Sequence, residues 1–290
     1  MSSKSPKPKY NLLKNGFKIP GGFNPERFEE ALTYIAEPGD VFICTYPKCG
    51  TTWTQCILHL LLNKGEPLKP GQSIFSVIPH LEDDGKEAVL KKPKPRVIKT
   101  HLPYNMLPKN DNSKYIYVAR NPKDCCVSFF YHTKGFAKHY DFVEGKFEDY
   151  FELFLSGEVD FGDYFDHLLS YLPHKHDPNM LFLLFEDMKS DVRACIKDIG
   201  QFLGGAFLQS CENPVILEKV IQNCAFKAMK ATPSSWSSEQ VKGSPGFIRK
   251  GEVGDWKNHF TDDQTKRMDQ KFKEKFGGTE AEYFWNKYDC

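Results

Sequence analysis

Short apolar runs alternate with longer mixed stretches along this chain, and the alternation predicts its elements. Val41-Phe42-Ile43-Cys44 is a compact β-branched and aromatic run of the kind that forms a buried strand. Arg96–Thr100, Lys114–Ala119 and Asn179–Phe185 repeat the pattern. Between them lie helical stretches. Ile57, Leu58, Leu60, Leu61 and Leu62 give a helix that Asn63 and Gly65 can stop. Pro122 opens a helix through about Tyr131. Phe147–Ser156 and Phe161–Tyr171 are helical and rich in aromatics, and another helix ends near Leu203 at Gly204-Gly205. Val215–Met229 and the charged Asp262–Phe276 complete the set. Near the start, Asn24 as cap and Pro25 at the first helical position open a helix through about Tyr34.

Strands that alternate with helices argue for an α/β fold: a single domain with a mainly parallel central sheet flanked by helices. Residues 1–15 read as a flexible tail, and 16–290 as the domain. Residues 64–95, rich in Pro, Gly and Lys, read as a long functional loop with short helices. Residues 231–246 read as a second loop.

Chemistry concentrates after the first strand, in Thr45-Tyr46-Pro47-Lys48-Cys49-Gly50-Thr51-Thr52-Trp53. A strand, a tight turn with Lys and Gly, and a helix hold an anion on backbone N–H groups and the helix N-terminus. The spacing is not that of the usual triphosphate loop, GxxxxGK[ST]. Parallel sheets bind ligands at the carboxyl ends of their strands. Lys48, His101 and Arg120 all fall just past such ends.

Composition narrows the classes. The 290 residues are 40% hydrophobic, enough for a real core. With 39 basic against 38 acidic residues, the net charge of +1 argues against a general nucleic-acid or membrane-surface binder. No apolar run approaches about 18 residues, so no membrane span is expected. Nine Cys show no metal-ligand spacing, and no metal is expected. An odd Cys count behind a polar Met1–Lys9 reads as reduced thiols and a cytoplasmic protein.

Five motifs in order carry a family resemblance: Thr45-Tyr46-Pro47-Lys48, Lys99-Thr100-His101-Leu102-Pro103, Arg120-Asn121-Pro122-Lys123-Asp124, Phe185-Glu186-Asp187-Met188 and Arg249-Lys250-Gly251. From about Gly16 onward the sequence strongly resembles the cytosolic sulfotransferases. The resemblance implies transfer of a sulfuryl group from 3′-phosphoadenylyl sulfate (PAPS) to a small acceptor. It implies His101 as general base, Lys48 at the leaving phosphate, Lys99 near the sulfuryl oxygens and Ser128 hydrogen-bonded to Lys48. It further implies Arg120, Ser128, Arg249 and Lys250 on the 3′-phosphate, with the Gly251 backbone. Lys48, Gly50, Thr51 and Thr52 fall on the 5′ side, and Cys49 is a further donor position. Trp53 and Phe226 fall on the adenine, with Phe185, Cys224, Met229 and Phe247 completing the donor set. Cys49, Phe185 and Cys224-Ala225 depart from the usual Ser, Tyr and Thr-Ser, so adenine contacts are expected to be weaker or differently satisfied.

On the acceptor side, the resemblance puts Phe75, His80, Lys99, His101, Phe130 and His132 at the pocket, with Phe136 and Tyr140 as further walls. His80 and His132 stand where Phe is common, and Asp83 and Asp84 lie close by. The expected acceptor is a phenol, or a phenolic amine of catecholamine type; the alternatives are a steroid or alcohol acceptor, or a nucleotide-binding module without catalysis. The family's dimer motif is altered at Asp262 and Lys266, after Lys257 and Thr261, so a monomer or weak dimer is expected.

Overall fold

Strand β1 (Tyr10–Leu12) pairs antiparallel with β2 (Lys18–Pro20). Strands β3 (Asp40–Thr45), β4 (Arg96–Thr100), β5 (Lys114–Ala119) and β6 (Met180–Leu184) form a wholly parallel sheet in the order β4-β3-β5-β6. These elements belong to a computed structural model that describes residues 6–236, 246–288 and 290.

The strands read as apolar runs because both faces of the sheet are covered. Side chains alternate along each strand. Phe42, Cys44, Ile98, Tyr115 and Tyr117 enter an aromatic core on one face, where the Phe42 and Tyr115 rings stack at 5.1 Å. Val41, Ile43, Val97, Ile116 and Val118 enter an aliphatic core on the other, against the Thr51–Leu62 helix. All six residues of β3 are buried.

Several boundaries differ from expectation for local reasons. Tyr10–Leu12 belongs to the paired hairpin rather than to a tail, because Leu13 is buried and Lys9 N donates to Tyr140 O. The helix begun at Pro25 ends at Ala31, while its Asn24 side chain caps Arg27 N as expected. The helix expected from Phe161 starts at Tyr164, because the Asp163 side chain caps Phe165 N and Asp166 N. The stretch Val215–Met229 divides at Cys224-Ala225 into Pro214–Asn223 and Phe226–Lys230. Phe185 opens the Phe185–Ser190 helix instead of closing β6. Of the loop expected over 231–246, residues 237–245 lie outside the described residues. The long loop of 64–95 does carry three short helices, Ile74–Val77, Leu81–Asp84 and Lys86–Leu90.

The chain leaves β3 for β4 on one side, and β5 lies on the other. The crevice at this reversal opens above the carboxyl ends of the strands, where α/β sheets bind ligands.

Candidate active site

A cavity of about 680 Å³ opens there. Its floor is the turn after β3. Lys48 and Gly50 both adopt left-handed backbone, at φ 70° and 102°. A side chain at Gly50 would meet the Phe185 ring at 3.1 Å as well as bear that strain. Gly50 caps the Thr51–Leu62 helix with no side-chain hydrogen bond. The first N–H groups of that helix therefore keep their capacity for an anion.

Cys49 does not line the cavity, although Lys48 and Gly50 on either side of it do. Its side chain is fully buried, with Sγ 3.6 Å from Cys125 Sγ. Its N–H already donates to Tyr46 O. The expectation that it contacts a donor is corrected: Cys49 packs the back of the turn.

Cations gather around the turn. Arg120, from the end of β5, donates to Lys48 O at 3.2 Å and Glu252 O at 3.0 Å. Its guanidinium lies 4.4 Å from the Phe185 ring centroid, and its buried Nε has no partner. Arg249 and Lys250 are held by Asp255, Arg249 at 2.6 Å. Lys48 forms no hydrogen bond with Ser128 among the described residues. Its ammonium instead lies 4.2 Å from the Phe247 ring centroid, where the π face is attractive to a cation. Enclosure, followed by the nearby charges of Lys99 and Arg120, lowers Lys48 to about 7.

The residues expected on the adenine share one cavity. Trp53, Phe185, Cys224, Phe226, Met229, Phe247 and Gly251 line one end of the cavity with Thr51, Thr52 and Ser128. The Trp53 indole donates to Cys224 O at 2.9 Å. The Cys224 thiol turns back to Ile221 O, so it supplies no hydroxyl-like contact. Gly251, at φ 63°, lies so close to Phe226 that a Cβ would come within 2.8 Å of the ring.

His101 follows β4. Its Nδ1 lies 2.8 Å from Thr45 O, a carbonyl that can only accept, so Nδ1 carries the proton. Nε2 is left with its lone pair. Burial, then Lys99 and His80, holds the ring well below the usual imidazole pKa and hence neutral. The His101 N–H donates to Glu82 Oε1 at 2.5 Å, and Thr100 Oγ1 donates to the same oxygen at 3.0 Å. Glu82 is fully buried.

Phe75, His80, Lys99 and His132 line the cavity beyond His101, with Phe136 and Tyr140. The His80 and His101 rings are 5.1 Å apart. Burial lowers His80 and His132 well below the usual histidine range, so both are neutral. Phe130 is a correction: it is buried in the aromatic core against Phe147 and Tyr150, at 5.5 and 5.8 Å, and does not line the cavity. Sequence reasoning missed Glu82, Phe23, Asp160, Phe161 and Lys189. Phe161 falls at the start of the expected Phe161–Tyr171 helix and Asp160 just before it, and nothing local marks either as a cavity residue. Among the described residues no group of three or more His, Cys, Asp or Glu could hold a metal ion.

An uncapped helix at the switch point of a parallel sheet, ringed by cations and faced by a neutral imidazole, defines an α/β protein with a site suited to an anion. The chain belongs to the sulfotransferase family: residues 38–280 match the model described as "Sulfotransferase domain". It is a sulfotransferase enzyme. It is 35% identical to sulfotransferase 1C2 of Homo sapiens over 273 residues, covering 89% of this chain and 90% of that protein. It is 34% identical to the amine sulfotransferase of Oryctolagus cuniculus over 262 residues, 86% and 85% of the two chains. The structure of mouse sulfotransferase SULT7A1 complexed with PAP matches at a TM-score of 0.76 and 28% identity, covering 97% of this chain and 100% of that one.

Proposed function

We propose that this enzyme transfers a sulfuryl group from 3′-phosphoadenylyl sulfate to the hydroxyl of a small acceptor, a phenol or phenolic amine. The observation that carries the reading is the His101 ring. Nδ1 is committed to the Thr45 carbonyl, and the neutral Nε2 remains able to take the acceptor's proton.

The residues present fit such a donor. The uncapped helix and Lys48 suit its 5′ side, and the orphaned Arg120 Nε suits its 3′-phosphate. Bound there, the donor supplies the sulfuryl group. Lys48 stabilises negative charge on the leaving phosphate, and Lys99 stands by the sulfuryl oxygens. Arg120, Ser128, Arg249, Lys250 and the Gly251 backbone hold the 3′-phosphate, Asp255 releasing Arg249 and Lys250 to it. Trp53 and Phe226 flank the adenine. Phe75, His80 and His132 form walls of the acceptor end. Similarity to a mouse structure complexed with PAP supports the donor, and similarity to an amine sulfotransferase supports the acceptor class.

The enzyme acts in the cytoplasm as a monomer or weak dimer. Its nine cysteines are free and eight are buried. Among the described residues no helix is long and apolar enough to cross a membrane. Asp262 and Lys266 are exposed charges at the altered dimer motif. The decisive experiment is an acceptor screen with labelled donor. Sulfated phenols are expected; no sulfated product from phenols, amines or steroids would sink the reading.

A further inference from the structure

The acceptor end of the cavity carries a carboxylate that catalysis does not use. Asp160 lines the cavity and is fully buried. Its Oδ2 accepts from the Tyr140 hydroxyl at 2.8 Å, while Oδ1 has no partner. The Tyr10 hydroxyl, an electrostatic neighbour of Asp160, is also buried without a partner. A buried carboxylate with an unmatched oxygen is costly and calls for a donor.

Its position joins both walls of the acceptor end. Phe161, the next residue, is held in left-handed backbone at φ 61° and sets its ring 5.2 Å from His101. Tyr140, the hydrogen-bond partner, lies 5.8 Å from the His132 ring. Such strain in a non-glycine residue persists only where the surroundings enforce it. Asp160 thus lies between Phe161, which packs on His101, and Tyr140, which packs near His132.

We propose that Asp160 is a specificity-determining residue that binds a protonated amine on the acceptor while the acceptor's hydroxyl faces His101. The proposal rests on the sulfuryl-transfer reading above. An ammonium supplies both the donor that Oδ1 lacks and the charge that repays the burial of a carboxylate; a neutral hydroxyl supplies only the first. Burial pushes the Asp160 carboxyl up to about 7, so a cation beside it would favour its ionised form at neutral pH. Asp83 and Asp84 line the same cavity and interact with Lys99, so carboxylates other than Asp160 already engage the cation on that wall.

The test compares kcat/KM for tyramine and 4-ethylphenol, which differ by the amine. The unmodified enzyme is expected to prefer tyramine by at least about tenfold. Asp160→Asn, which keeps the shape and the Tyr140 contact, should abolish that preference, raise KM for tyramine and change 4-ethylphenol less than about threefold. Asp160→Ser serves if the amide variant does not fold. No preference in the unmodified enzyme, or an equal loss for both acceptors in the variant, overturns the proposal. No sulfated product from either phenol would instead overturn the parent reading.

Discussion

Cys49 Sγ lies 3.6 Å from Cys125 Sγ, and both side chains are fully buried behind the turn that carries Lys48. Cys125 Sγ also reaches Pro47 O at 3.4 Å. The contact ties the turn to the Pro122–Gly135 helix, which bears Ser128. A small, soft side chain suits this gap. Cys49, which stands where the family usually has Ser, is therefore a packing residue on the hidden side of an anion site.

Cys49→Ala should for that reason separate stability from binding. Removing one buried sulfur is expected to cost about 1–2 kcal/mol of folding free energy. The dissociation constant for adenosine 3′,5′-bisphosphate should stay within about twofold. Denaturant unfolding and calorimetric titration of one variant check both. A tenfold loss of affinity with unchanged stability would return Cys49 to the ligand side.

Lys48 makes donor binding depend on pH. Enclosure and neighbouring cations lower its pKa to about 7, so it is charged below that value and loses its charge above it. A bound anion raises the pKa again. Affinity for the bisphosphate should therefore be greatest below about pH 7 and fall by up to about tenfold per unit above it, until the bound-state pKa is reached. Phosphate ionisation, with a second pKa near 6, is complete over most of that range and does not mask the effect. Titration from pH 7 to 9 reads the slope. Lys48→Met should bind more weakly at neutral pH and flatten it.

The sheet was legible in the sequence because each strand is a short, largely apolar run bounded by polar, glycine- or proline-containing turns. Lys48, His101 and Arg120 were legible because they immediately follow those runs. What was not legible depends on packing between distant segments. Phe130 and Phe136 are both aromatic residues of one aromatic-rich stretch, yet Phe130 enters the core against Phe147 and Tyr150 while Phe136 lines the cavity. Only the path of the helix decides between them. Asp160 was hidden because a polar residue in a loop usually meets solvent, and its burial comes from Tyr140 and its neighbours. The Lys48–Phe247 contact joins residues almost two hundred positions apart, which no local pattern records.

His101→Ala should remove turnover while leaving bisphosphate binding within about threefold, because the ring touches the acceptor end and not the cation cluster. General-base catalysis contributes about 10²–10⁴-fold, and a loss of that size is expected in kcat. In the unmodified enzyme the ring is held well below the usual imidazole pKa, mainly by burial. Its base form is therefore fully present from about pH 6.5 upward. kcat should show no acid limb until the pH falls well below that value. An acid limb centred at 6.5 or above in kcat, absent in a variant at another histidine, would point to a different base.

Glu82 tests whether the base is aimed as well as tuned. Its Oε1 accepts from His101 N and from the Thr100 hydroxyl, while Nδ1 of the same histidine donates to Thr45 O. The ring is thus anchored to two strands, β3 through Thr45 and β4 through the Thr100–His101 junction. Glu82→Ala leaves two buried donors unmatched, at about 1–3 kcal/mol each. Some of that cost will appear as lost stability. The rest should appear in kcat, since a base displaced by about 1 Å loses roughly 10²-fold. Bisphosphate affinity should hold within about threefold, because Arg120, Lys48 and the helix N-terminus lie on the other side of the turn. Glu82→Gln keeps an amide oxygen for both donors and should recover most of kcat. A purely structural Glu82 would predict instead that kcat per folded molecule is the same in both variants.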